Sequence, residues 1–210
     1  ARFPRGQQDS LFRPVRPLVY RFRPGPSDIG NALQPQLQGL PVNCPPVVIS
    51  QHMPESFLKS FVARLDQRNG QRGRVATDGD LLQEGTIYIA PGGDRHTGVA
   101  QRAGKFYCTD ITGPKTNGHY PSVDELFGSA TGFADRVIGV ILTGLGNDGA
   151  TALADLHDKG AFTIAQDKDS CVVYGMPRAA NDLGALDKQL PLEAIAREIC
   201  LLADAAGGRG

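Results

Sequence analysis

VIGVILTGLGNDGATALADL, Val137 to Leu156, runs from an unbroken apolar segment through three closely spaced glycines into an Ala- and Leu-rich stretch. It reads as a buried strand, a turn at Gly144, Gly146 and Gly149, and a helix that Gly160 ends. The same alternation extends both ways. Upstream lie PVVISQ (strand), PESFLKSFVARLDQ (amphipathic helix), RVAT (strand) and VDELFGSATGFA (helix); downstream lie AFTIAQ (strand) and PLEAIAREICLLADA (final helix). Apolar strands alternating with helices need cover on both faces, which predicts an α/β fold: a doubly wound, mainly parallel sheet with helices on both faces. Between Gly85 and Ile111 the strand-like runs are separated by glycine turns without a helix. This segment is expected to form an antiparallel hairpin excursion at one edge.

The chain of 210 residues is 40% hydrophobic and 21% charged, enough for one sizeable core. Its 22 basic and 22 acidic residues cancel, so no broad field argues for nucleic acid or an anionic membrane surface. The longest apolar runs are about seven residues, against the roughly 20 that span a bilayer, and the N-terminus lacks the apolar core of a signal peptide. A cytoplasmic location without membrane insertion is expected. Cys44, Cys108, Cys171 and Cys200 are scattered, with neither disulfide nor zinc spacing, and the four histidines show no metal-ligand spacing. Residues 1–15 read as a basic, proline-containing tail or linker, 16–204 as one domain and 205–210 as a C-terminal tail.

Three places on this framework carry chemistry. In a doubly wound sheet ligands bind where strands end and their loops converge. His52 in VVISQHMPESF stands at such an end; it reads either as a base or as a polar residue closing the Met53-Pro54 turn. Gly144 to Gly149 formally match G-x-G-x-x-G, and Asp167 falls near the end of the next strand, as a dinucleotide site would require. Asp148 inside that loop opposes a pyrophosphate, and no Lys or Arg offsets it. Asp148 could instead orient a histidine from a neighbouring strand end, or, with Asn147, cap the helix. Ser27, between Gly25 and Gly30 after the strand-like PLVYRF, resembles a nucleophile elbow; its rival is an ordinary turn that caps a helix.

From about Gly25 to Ala194 the chain resembles the catalytic domain of the chemotaxis protein-glutamate methylesterases. The motifs that carry the resemblance are VVISQHMPESF, DGDLLQEGTIYIAPGGDRH, NGHYPSVDELFGSA, GVILTGLGNDGATAL and GAFTIAQDKDSCVVYGMPRAA. The resemblance implies a serine hydrolase that releases methanol from γ-glutamyl methyl esters on chemoreceptor cytoplasmic helices, and in some members also deamidates receptor glutamines. It implies a Ser-His-Asp triad: His52 matches the histidine of Q-H-M-P, Asp148 the aspartate of G-N-D-G-A, and Ser27 the serine of G-A-S-T-G-G. No cofactor or metal is implied. The partners implied are methylated receptor helices.

Two departures stand out. The serine loop here reads G-P-S-D-I-G, with Pro26 removing a backbone donor, and Leu145 replaces the usual methionine beside the oxyanion or substrate pocket. The altered serine loop keeps a second reading open, a non-catalytic module that docks on receptors. The family's regulatory receiver domain does not fit in the 24 residues before Gly25, so an excised catalytic domain or a stand-alone member is expected. His96 and His119 read as loop histidines, solvated or lining a substrate path, and SCVVYGMPRAA as a strand and turn supporting the rim, with Cys171 no nucleophile.

Overall fold

The computed structural model describes residues 18–20, 37, 39–52, 58–63, 65 and 72–207, with the backbone alone described at 18–20, 206 and 207. Seven strands form one sheet: β1 (Leu18–Tyr20), β2 (Val47–Ile49), β3 (Arg72–Val75), β4 (Thr86–Ile89), β7 (Ile138–Ile141), β8 (Phe162–Gln166) and β9 (Lys188–Leu190). Their order is β3-β4-β2-β1-β7-β8-β9, and every neighbouring pair is parallel. The chain therefore builds outward from β1 on one side, then returns to build the other. That reversal opens a crevice at the carboxyl ends of the central strands.

Side chains alternate across a strand, and both faces of this sheet are dry. Val48, Tyr88, Ile141 and Ala165 enter one core with Val123, Leu126 and Phe127 of α1 (Val123–Ser129), Leu153 and Leu156 of α2 (Ala150–Asp158), and Met176 and Ala180 of α3 (Met176–Asp182). Val47, Ile49, Ile87, Ile89, Val140 and Ile164 enter the other with Leu58, Phe61 and Leu65 from helical residues, and Ile195 and Ile199 of α4 (Leu192–Gly207). Each large apolar side chain so buried contributes about 1.5–3 kcal/mol against its exposure, which fixes which face every strand presents. Gly139 lets α2 lie close on β7: a Cβ there would come within 2.6 Å of Leu153 Cδ1.

The hairpin pairs β5 (His96–Arg102) with β6 (Lys105–Ile111) antiparallel as a sheet of its own. Its turn residues Ala103 and Gly104 both have positive φ, the geometry that matches strand twist. Backbone bonds from Gly79 to Cys108, Cys108 to Asp80 and Leu82 to Phe106 tie it to the segment leaving β3, the edge strand. Its other side lies on α1, where Ser129 Oγ accepts the Val99 N–H at 2.8 Å.

Three segments differ from the pattern their sequence suggests. VDELFGSATGFA is not one helix. Ser129 Oγ turns back onto the Leu126 carbonyl (2.7 Å), α1 stops, and a 3-10 segment over Thr131–Arg136 follows, interrupted at Phe133. Within SCVVYGMPRAA, Met176 begins a helix that Pro177 opens from its first turn, where a missing N–H costs nothing. The sheet also gains β9, three mostly exposed residues too short and polar to signal a strand.

Candidate active site

β2 and β7 lie on either side of β1, so the loops leaving them face each other across its carboxyl end. After Ile49 the chain buries Ser50 and Gln51 and then presents His52, with 8% of its side chain exposed. After Ile141 it passes through the glycine turn to Asp148, at 3%. His52 Nε2 donates to Asp148 Oδ2 at 3.1 Å across 96 residues of sequence. Two residues singled out from sequence on separate strands thus meet at one spot.

Asp148 is gripped from four further directions. Its Oδ2 accepts the Val123 N–H at 3.0 Å; its Oδ1 accepts the Ser122 hydroxyl at 2.5 Å, Asn117 Nδ2 at 2.9 Å and the Asp124 N–H at 3.3 Å. Burial by itself would push this carboxyl up. The bonds from His52, Ser122, Val123 and Asn117 outweigh it and hold the group well below the usual carboxylate range. Asp148 is therefore an anion at any working pH, able to orient and charge-stabilise the imidazole without taking its proton.

The alternative role for Asp148, capping its own helix, is not what the geometry uses. α2 starts from Gly149 with no side-chain cap; the Ala152 N–H goes instead to Asp124 Oδ1 at 2.9 Å. α1 and α2 exchange carboxylates: Asp124 serves the start of α2, and Asp148 the start of α1. Gly149 makes this possible, with φ +89 and a position where a Cβ would come within 2.5 Å of Val123 Cγ1.

The glycine turn is clamped from behind. Gln166, fully buried, accepts the Thr143 N–H at 2.9 Å and donates to the Ser170 carbonyl at 2.7 Å. Thr143 Oγ1 accepts the Val173 N–H at 2.8 Å; the Gly144 N–H reaches the Val173 carbonyl, and the Met176 N–H the Gly144 carbonyl. SCVVYGMPRAA does support the rim, as expected, though by backbone clamping more than side-chain packing. Leu145, three residues before Asp148, is 63% exposed. Burial pushes the Cys171 thiol up to about 11, which keeps it protonated and unsuited to attack.

His119 is not remote from the pair: its ring lies against His52, centroids 3.6 Å apart. Asn117 and Ser122 on the same loop carried no periodic signal; only NGHYPSVDELF as a block marked them. His96 is neither solvated nor in the site. It is buried, accepting the Ser122 N–H at Nδ1 and meeting the Pro114 carbonyl at Nε2, and so braces the loop. Asp167, the acid a ribose would need, accepts the Ser170 N–H and hydroxyl at 2.9 and 2.6 Å, and Val123 and Phe127 fill the space at Gly149. The space at the glycine turn that a pyrophosphate would need is thus taken by α1. Ser27 lies outside the described residues. Among the described residues no cluster of three metal-ligating side chains occurs, and no helix is long and apolar enough to cross a membrane.

The family model for CheB methylesterase matches residues 30–199. The chain belongs to the CheB methylesterase family. Among solved structures it is similar to the CheB methylesterase catalytic domain of Thermotoga maritima, with TM-score 0.80 and 34% identity over 89% of this chain and 96% of that one. The mixed α/β architecture with its antiparallel pair is thus the fold of that domain. Two relatives named protein-glutamate methylesterase/protein-glutamine glutaminase are 48% identical (Caulobacter vibrioides) and 50% identical (Agrobacterium fabrum), each over 83% of this chain. The chain spans about half the length of these curated relatives, 51% and 50%. The family match begins at Gly30, three residues after Ser27, so it leaves the serine loop outside its bounds.

Proposed function

We propose that this chain is a protein-glutamate methylesterase, hydrolysing γ-glutamyl methyl esters on the cytoplasmic helices of chemoreceptors by a Ser27-His52-Asp148 triad, and that it works in the cytoplasm. The observation that carries the reading is the 3.1 Å contact between His52 Nε2 and a carboxylate held ionised by its surroundings. Because Asp148 takes Nε2–H, Nδ1 is the nitrogen that acts as base. Topology supports Ser27 as its partner: β1 ends at Tyr20 between the ends of β2 and β7, and Ser27 follows seven residues later.

The Ser27 hydroxyl gives its proton to His52 Nδ1 as its oxygen bonds to the ester carbon. The tetrahedral intermediate collapses with loss of methoxide, which takes the proton from Nδ1 and leaves as methanol. Water then attacks the acyl-enzyme, again passing a proton to Nδ1, and the glutamate carboxylate departs from a restored serine. Asp148 fixes the tautomer and stabilises the transient imidazolium. Backbone N–H groups after Ser27 and around Leu145 hold the oxyanion, each worth about 3 kcal/mol. With a glutamine substrate the same steps release ammonia.

Methanol release from a methylated receptor fragment tests this. Wild type should turn over, with Ser27→Ala and His52→Ala slower by about 10⁴-fold or more, since losing the nucleophile or the base of such a unit costs about 10⁴–10⁶ in kcat. Equal rates for all three proteins would reject the assignment.

A further inference from the structure

The loop between β6 and α1 gives the His52–Asp148 pair more than hydrogen bonds. It also lays the His119 ring on His52, with centroids 3.6 Å apart and planes at 32°. This placement is built. The His119 N–H meets the Thr116 carbonyl at 3.0 Å, Thr116 Oγ1 donates to Glu125 Oε1 at 2.6 Å, and Asn117 Nδ2 bridges Asp124 and Asp148 at 2.6 and 2.9 Å. On the other side, Ser122 bonds Asp148 and receives the brace of His96. His119 therefore sits between two residues that grip the same carboxylate that orients His52.

The hydrogen bond at Nε2 holds one point of the His52 imidazole, and the orientation of the ring plane is a separate degree of freedom. A flat neighbour on the ring face removes that freedom. We propose that His119 is a positioning residue for His52: its ring is the platform that sets the plane of His52, keeping Nε2 on Asp148 and Nδ1 turned toward the attacking hydroxyl. This rests on the assignment of His52 as the base. It predicts that a flat ring at position 119 keeps the plane of His52 and that a side chain without a ring does not.

The test compares wild type with His119→Ala and His119→Phe in two readouts. The first is kcat and KM for methanol release. The second is the long-range 1H–15N correlation spectrum of the His52 ring at pH 8, assigned by its loss in His52→Gln, which needs no turnover. His119→Ala should lower kcat roughly 10- to 100-fold, the scale of loss when a reacting group is misplaced by about 1 Å, with KM within about threefold. Its His52 ring signals should move from the Nε2–H pattern toward tautomer averaging. His119→Phe should keep the wild-type pattern and a kcat within about threefold. The proposal is overturned if His52 keeps its spectrum in His119→Ala, or if Phe and Ala lose equally in both readouts. A wild type that releases no methanol while the spectra behave as stated would fail the functional reading and leave the platform standing.

Discussion

Asp148 shows how a carboxylate can be buried and still stay charged. Among the described residues five donors converge on it, and they outweigh the desolvation cost that would otherwise protonate it. Its folded-state pKa lies below the ordinary value, so the stability it contributes is present above the unfolded pKa, about 3.9, and is lost as pH falls toward the folded one. Urea midpoints at pH 5 and pH 3 should therefore drop further in wild type than in Asp148→Asn, which has no charge to lose. Equal drops would show that the folded pKa is ordinary. His52 and Asp148 were both legible as residues, because each follows an apolar strand into the loops that a doubly wound sheet gathers at one end. Asn117, His119 and Ser122 were not, since their roles depend on how one irregular loop folds against a carboxylate 26 to 31 positions away.

Among elements, the regular ones announced themselves and the joints did not. Strands β2, β7 and β8 and the helix at Ala150–Asp158 follow from apolar runs with glycine punctuation. The break after Ser129 comes with one hydroxyl that accepts a β-strand N–H while donating to its own helix carbonyl, a placement that tertiary contact makes. The segment before Met176 is a clamp on the glycine turn, and Gly175 is its tightest point. A Cβ there would come within 2.5 Å of the Gly144 carbonyl oxygen and 3.2 Å of the Gly146 nitrogen. Gly175→Ala should push the Gly144–Gly146 turn outward and lower kcat by about tenfold or more, since small displacements of oxyanion donors are costly. The far-UV spectrum should stay native. An unchanged kcat would mean that the turn does not hold the oxyanion.

For the molecule as a whole, strand and helix alternation was enough to establish the class of fold, but the order of strands was not contained in it. Nothing local in LVY or VVI states that β1 lies between β2 and β7, because that arrangement is set by which helices cover which face. Yet the order is what brings the Gln51-His52 and Asn147-Asp148 loops together around the exit of β1. Ser27, which follows β1 in the sequence and precedes the family match, is therefore the residue on which the proposed chemistry turns. Intact-mass and peptide analysis after exposure to a fluorophosphonate probes it most directly. The account predicts a single adduct, mapping to Ser27, that forms far more slowly in His52→Ala and not at all in Ser27→Ala. No adduct on the folded wild type, or an adduct at another residue, would contradict it.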